Sequence, residues 1–270
     1  MLNPSLTAQQ PLRLGLVGAT GAMGRRVLRV LGEQATCTLT AVLARPGRQD
    51  AAQDVSAAYP DAQVTCAPEA FAAAIDVALD FSAPAACQAL GPALAAAGRP
   101  YVVASTGLSA ACEAALDATA QSIPVLVAAN LSLGVQVLMQ LAEQAAKALG
   151  DWDMEIVEAH HRRKVDGPSG TALALGAALT RGAPHLAPKV GRGPQPEGRP
   201  AGELGYSVVR GGDVAGEHTL YLFGEGERLE LIHRSQSADI FARGALVACR
   251  RILGAAPGRY TMQTLPPLPR

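Results

Sequence analysis

The chain is short of aromatic residues, of lysine, of paired cysteines and of net charge, and each shortage closes off a class of function. Phe, Trp and Tyr make up 4% of the 270 residues, so no series of rings exists on which successive bases of a nucleic acid would stack. Twenty-three Lys plus Arg residues balance 23 Asp plus Glu. A protein of zero net charge carries no electrostatic footprint for nucleic acid. The five cysteines, Cys37, Cys66, Cys87, Cys112 and Cys249, are odd in number, scattered and never spaced as Cys-x-x-Cys. They exclude a disulfide framework and read as small buried residues in a reducing compartment. The Ala/Leu-rich runs are interrupted by Gly, Pro or polar residues before reaching the roughly 20 that a membrane span needs. Residues 1–11 lack the basic start and apolar core of a secretory leader. A cytoplasmic protein without membrane or nucleic-acid partners is expected.

What is present is a packed globular protein, 49% hydrophobic and 17% charged, long enough for one large or two moderate domains. Short apolar runs at 13–17, 39–43, 75–81, 101–104 and 125–128 alternate with helical periods, as at 25–32 and 110–120. This alternation predicts a doubly wound parallel α/β sheet. Beyond Gly150 the pattern changes. A strand over 153–159 and a helix over 171–180 precede a Gly/Pro-rich stretch at 183–202. Three strand-like segments follow (206–210, 217–223, 227–233) between tight glycine turns, which reads as an antiparallel section. A helix over 241–253 closes the chain. The expected organisation is a Rossmann-like dinucleotide-binding domain of residues 1–131 with 241–270, and a mixed α+β domain of residues 132–240 for substrate and oligomerisation.

The turn Gly18-Ala-Thr-Gly-Ala-Met-Gly24 follows the first strand and opens a helix, where glycine lets a pyrophosphate approach the helix N-terminus. Its Gly-x-x-Gly-x-x-Gly spacing differs from the commoner fingerprint and taken alone is also that of a plain tight turn. Four further strand–helix units favour the dinucleotide. After the second strand, Ala44-Arg45 stands where an acid would bind the ribose of NAD. That leaves no carboxylate to repel a 2′-phosphate, and Arg45 is either its partner or a solvated loop arginine. NADPH, NADH or both are the expected cofactors.

The densest chemistry lies in Glu158-Ala-His-His-Arg-Arg-Lys-Val-Asp-Gly-Pro-Ser-Gly-Thr-Ala172. Lys164 is one of only three lysines (with Lys147 and Lys189), yet it sits beside two arginines, so a compact proton-bearing ammonium is wanted there and not merely positive charge. Ser169 or Thr171 caps a following helix whose start receives anions. An imidazole, cations and a helix start within a dozen residues suggest acid–base work on an acidic small molecule. The competing readings are a solvated basic turn and a nucleic-acid patch, the latter opposed by the neutral charge. Zinc is opposed by the absence of a third ligand at suitable spacing, so no metal is expected.

These segments together resemble the dihydrodipicolinate reductase family, which forms 4-hydroxy-tetrahydrodipicolinate reductases of lysine and diaminopimelate biosynthesis. The resemblance rests on five blocks in the family's order: 17–24, 80–84 (Asp-Phe-Ser-Ala-Pro), 128–135 (Ala-Ala-Asn-Leu-Ser-Leu-Gly-Val), 158–172 and 212–219 (Gly-Asp-Val-Ala-Gly-Glu-His-Thr). It implies a homotetrameric oxidoreductase that reduces a cyclic dicarboxylate with NAD(P)H and loss of water. It implies His160 as proton donor and Lys164 as second catalytic cation, with His161, Gly170 and Thr171 on the substrate carboxylates. The cofactor falls to Gly18, Ala19, Thr20, Gly21, Ala22, Met23, Ala104, Ser105, Thr106, Ala128, Ala129, Asn130 and Leu131, beside Arg45. Three positions depart from the family pattern: Ala22 and Ala238 where arginine is usual, and Ala104-Ser-Thr-Gly107 in place of Gly-Thr-Thr-Gly. The alternatives are another two-domain dehydrogenase of an aspartate-like amino acid and a dinucleotide-sensing regulator without catalysis. The first leaves the 158–172 block unexplained, and the second would be expected to lose His160 or Lys164.

Overall fold

A computed structural model describes residues 11–47, 53–194 and 196–267. Residues 1–10, where no leader is expected, lie outside the described residues. The chain divides into two compact units, one running to Leu131 and resuming at Phe241, the other Ser132–Ile240.

In the first unit, β1 (Leu12–Val17), β2 (Cys37–Leu43), β3 (Gln63–Thr65), β4 (Val77–Asp80), β5 (Tyr101–Val103), β6 (Pro124–Val127) and β12 (Gly258–Tyr260) form one sheet. Its order is β12-β6-β5-β4-β1-β2-β3 and every pair is parallel. The central strands are mainly apolar because both faces are covered, whereas Arg13 of β1 is exposed and the edge strands β3 and β12 are only partly buried. Leu14, Leu16, Val77, Leu79, Val102 and Leu126 enter one core, while Ala78, Tyr101, Val103 and Val125 enter the other. The helices are α1 (Ala22–Gly32), α2 (Gln53–Ala58), α3 (Pro68–Ala73), α4 (Ala86–Ala97), α5 (Ala110–Ala120) and nearly all of α8 (Asp239–Ile252). Ala242, Ala245, Leu246, Cys249 and Ile252 of α8 pack into the first of these cores. Strand order reverses between β1 and β4, the switch point at which α/β sheets open a crevice beyond their carboxyl ends.

The second unit holds β7 (Asp153–His160), β8 (Ala187–Val190), β9 (Glu203–Arg210), β10 (Gly216–Gly224) and β11 (Glu227–Ser235) in the order β11-β10-β7-β9-β8. The helices α6 (Leu133–Ala148) and α7 (Gly170–Gly182) share its apolar core. Alternation decides which side chains enter it. Met154 and Ile156 of β7 meet Leu220 and Leu222 of β10 there.

Two expectations need correction. The segment 183–202 contains β8, and 206–223 is not an antiparallel meander. β10 and β11 form a hairpin, but β7 lies between β9 and β10, and β9 pairs parallel with both β7 and β8. The glycine turn at 211–212 therefore carries the chain across β7 instead of folding it back on β9.

Candidate active site

Two sites emerge, one in each unit. The first lies beyond the carboxyl ends of β1, β4, β5 and β6. Gly18 turns the chain out of β1 at φ +80°, and a Cβ there would lie 2.8 Å from the Phe81 carbonyl oxygen. A Cβ at Gly24 would fall 2.2 Å from the Gly18 carbonyl oxygen. Only glycine lets the start of α1 sit this close to the turn. α1 begins after Gly21 with no side-chain cap and no acid in its first turn. Its N–H groups and positive dipole end are thus left for an anion, which fits a dinucleotide pyrophosphate.

Beside this turn is a cavity of about 400 Å³ lined by Met23, Phe81, Ser82, Ala104, Ser105, Thr106, Ala128, Ala129, Leu131 and Phe241. Asp80, buried at the end of β4, anchors the lining residue Ser82. Asp80 accepts hydrogen bonds from the Tyr101 hydroxyl (2.6 Å) and the Ser82 N–H (2.7 Å). Burial pushes the Asp80 carboxyl up, and the Ser82 and Tyr101 bonds pull against it. Ser105 Oγ donates to the Ser82 carbonyl at 2.8 Å, joining two lining segments. Seven residues assigned to the cofactor thus line one cavity. Gly18, Ala19, Thr20, Gly21 and Ala22 form the turn and helix start instead, and Asn130 stands between two lining residues. Arg45, exposed two residues beyond β2, does not line the cavity. Phe81, Ser82 and Phe241 were not assigned from sequence. The first two belong to the 80–84 block, whereas Phe241 arrives from the last helix with no local signal.

The second site is built at the end of β7. Glu158 and His160, two residues apart, turn to the same buried face as Met154 and Ile156. His160 Nδ1 meets Glu158 Oε2 at 2.6 Å. Arg210, paired with His160 across β7 and β9, reaches back to Glu158 with its two terminal guanidinium nitrogens, at 2.7 Å to Oε2 and 2.8 Å to Oε1. Ser169, the N-cap of α7, donates its N–H to Glu158 Oε1 at 2.9 Å, and its Oγ accepts from the Ala172 N–H at 3.1 Å. Of the two candidate caps, Ser169 takes the role. Ser169 Oγ also meets His218 Nε2 at 3.1 Å, and the His218 ring stands edge-on to His160 at 5.3 Å.

Lys164 follows one turn later, its Nζ 2.8 Å from Asp166 Oδ1. His161 is half-buried, and its Nδ1 has no hydrogen-bond partner. Gly170 and Thr171 form the first turn of α7, which holds no acidic residue. His160, His161, Lys164, Gly170 and Thr171 thus follow one another along the strand end, the turn and the helix start, with Lys164 near enough to His160 to act on its charge.

The electrostatics follow from this packing. Burial pushes the His160 imidazole below its ordinary value. Glu158 opposes that, while Lys164 and Arg210 add to it. His218 is pushed down to about 4, first by burial and then by His160. Burial alone would push the Glu158 carboxyl up, but Arg210, His160 and the Ser169 N–H outweigh it and hold the group below the usual carboxylate range. Among the described residues, no cluster of three or more His, Cys, Asp or Glu side chains could hold a metal ion. A buried imidazole among cations and beside a helix start can bind an anion and pass it a proton.

Comparison with known proteins points the same way. Residues 12–131 match the family described as dihydrodipicolinate reductase, N-terminus, and residues 134–265 match its C-terminus. Among curated relatives, the 4-hydroxy-tetrahydrodipicolinate reductase of Thiobacillus denitrificans is 42% identical over 93% of this chain and 97% of its own. The protein of the same name from Stenotrophomonas maltophilia is 43% identical over 95% and 98%. Among solved structures, a dipicolinate-bound dihydrodipicolinate reductase from Paenisporosarcina sp. TG-14 superposes with a TM-score of 0.74 at 21% identity, covering 93% of this chain and 97% of that one. An amine dehydrogenase from Mycobacterium smegmatis shares the fold at a TM-score of 0.61 and 14% identity, covering 96% of this chain and 97% of that one.

Proposed function

The chain belongs to the dihydrodipicolinate reductase family, and from that premise we infer that it reduces 4-hydroxy-tetrahydrodipicolinate to tetrahydrodipicolinate, releasing water, in lysine and diaminopimelate biosynthesis. It is an oxidoreductase that uses a reduced nicotinamide dinucleotide. The observation that carries the reading is the end of β7, where His160 rests on Glu158 with Lys164 and the start of α7 close in sequence behind it.

The bound dinucleotide supplies a hydride. The chain's own residues supply the rest. The first unit holds the dinucleotide, with the turn at Gly18–Gly24 for its pyrophosphate and the cavity beside Met23, Ser105 and Ala128 for the remainder. In the second unit His161 and the start of α7 at Gly170 and Thr171 hold the two carboxylates of the substrate, and Lys164 is the second catalytic cation. His160, anchored through Nδ1, delivers a proton from Nε2 to the ring carbon next to the one that takes the hydride. Burial keeps the free imidazole largely neutral, and an arriving dianion raises its proton affinity. Substrate and proton therefore enter together.

The absence of a carboxylate at Ala44 and the exposed guanidinium of Arg45 support use of both cofactors with NADPH preferred. Because a solvated arginine contributes little, a preference of about tenfold is expected, near 1.4 kcal/mol. A homotetramer is supported by apolar residues exposed on the sheet face turned away from α6 and α7, Val209, Phe223 and Ile232 among them. Five free cysteines support a reducing, cytoplasmic setting. The deciding assay mixes purified protein with enzymatically generated substrate and either cofactor, and follows loss of the reduced-nicotinamide absorbance. No loss with either cofactor would refute the reading.

A further inference from the structure

We infer that Glu158, clamped by Arg210, is the positioning residue of the second site: it fixes the tautomer and orientation of His160 so that Nε2 is the nitrogen that carries and delivers the proton. The inference rests on the proposed function for the use made of that proton, though not for the tautomer itself.

An ionised carboxylate accepts about four hydrogen bonds and donates none. Glu158 meets four donors: His160 Nδ1, two guanidinium nitrogens of Arg210 and the Ser169 N–H. At 2.6 Å from an oxygen that can only accept, Nδ1 must bear the hydrogen. The neutral ring is then the Nδ1–H tautomer, with its lone pair on Nε2. Gly216 leaves room at that nitrogen, since a Cβ there would stand 3.1 Å from Nε2.

Arg210 has a separate task. A buried carboxylate left alone beside an imidazole would hold it permanently protonated, and a proton held too firmly is not delivered. The guanidinium takes up much of that charge. The groups facing His160 are Glu158 on its own strand, Arg210 on β9, Lys164 in the following turn and His218 on β10. Glu158 strengthens proton binding, whereas Arg210 and Lys164 weaken it. Removing Glu158 and removing Arg210 must therefore move His160 in opposite directions. A buried ion pair serving only to hold β7 to β9 would leave the tautomer of His160 and the pH profile of kcat unaffected.

The test reads the ¹⁵N and ¹H resonances of the His160 ring against pH in the full-length protein without substrate, alongside kcat against pH. The wild type is expected to show a protonated Nδ1 and a bare Nε2 in its neutral form. Glu158→Gln should titrate at lower pH than wild type, and Arg210→Met at higher pH. Glu158→Gln should also lower kcat by about 10²-fold, with its alkaline limb moved down in pH and KM for the dinucleotide unchanged. Glu158→Asp should recover part of the loss. If Glu158→Gln does not fold, the wild-type tautomer and the Arg210→Met and Arg210→Lys titrations still decide. A neutral wild-type ring protonated on Nε2, or shifts of the same sign in the Glu158 and Arg210 variants, would overturn the inference. A wild type with this tautomer but no turnover would refute the proposed reaction while leaving the positioning intact.

Discussion

Replacing Gly24 by alanine probes the dinucleotide turn at its tightest contact. The new Cβ would lie 2.2 Å from the Gly18 carbonyl oxygen and 2.7 and 2.8 Å from backbone atoms of Ala19, whereas ordinary contact begins at 3.4 Å. The start of α1 and the turn must then separate by about 1 Å, and neither neighbour is a flexible side chain that could swing aside. Overpacking of this kind costs about 1–3 kcal/mol. If relief comes from tilting the helix start away, the N–H groups no longer converge on the pyrophosphate, and dinucleotide affinity falls by roughly 5- to 150-fold at 1.4 kcal/mol per tenfold. If the turn resists instead, the same strain lowers the unfolding midpoint. Titration by nicotinamide fluorescence and thermal unfolding together capture both outcomes. Gly32, at the other end of the same helix, is the control, because its Cβ would meet nothing nearer than the Tyr59 hydroxyl at 3.6 Å. Gly32→Ala should leave affinity unchanged and stabilise the helix by about 0.5–1 kcal/mol. A Gly24→Ala protein with affinity within about twofold of wild type and an unchanged midpoint would refute the reasoning.

His160→Gln and Lys164→Ala should each lower kcat by about 10²–10⁴-fold with little change in dinucleotide affinity, and steady-state kinetics showing near-normal kcat in His160→Gln would end the assignment. Thr171→Val should mainly raise KM for the dicarboxylate, because a carboxylate contact is made in ground and transition states alike; a loss confined to kcat would contradict it. Arg45→Ala should raise KM for NADPH and leave that for NADH nearly unchanged, and equal losses with both would make Arg45 structural. The folded protein should lose stability as pH falls from about 6.5 towards 4. His218 is pushed down to about 4, so between those values the unfolded chain binds the extra proton and the folded chain does not, a difference of about 3 kcal/mol from this group alone. His160 shifts in the same direction. Unfolding midpoints measured across this window should fall, and His218→Gln should flatten the slope; an unchanged slope in that variant would show that other groups set it.

How much of this was legible in the sequence depends on how local each feature is. The parallel sheet was legible because strands buried on both faces are apolar at every position, as at Leu14–Val17 and Val77–Leu79. β3 and β12 were not, since three residues are too few to show a period, and both gain their order only by pairing with β2 and β6. The parallel pairing of β9 was hidden for another reason. A glycine turn between two strands looks the same whether the chain folds back or crosses a third strand, and the difference lies in β7, some fifty residues earlier.

The same distinction divides the second site. His160, Lys164 and the start of α7 are contiguous because one strand end, one turn and one helix N-terminus present them, so they stand together in sequence as they do in space. Glu158 was within reach of period-two reading: Met154, Ile156, Glu158 and His160 alternate along one face, and two ionisable side chains that continue an apolar, buried row need partners. The identity of those partners could not be read that way. Arg210 and His218 arrive through strand pairing, and the register that sets His160 against Arg210 is fixed by Met154, Ile156, Leu204, Leu220 and Leu222 filling one core. A one-residue slip of β9 would turn Arg210 to the opposite face and leave Glu158 buried with fewer donors, so the packing of the second core and the protonation of His160 rest on the same register.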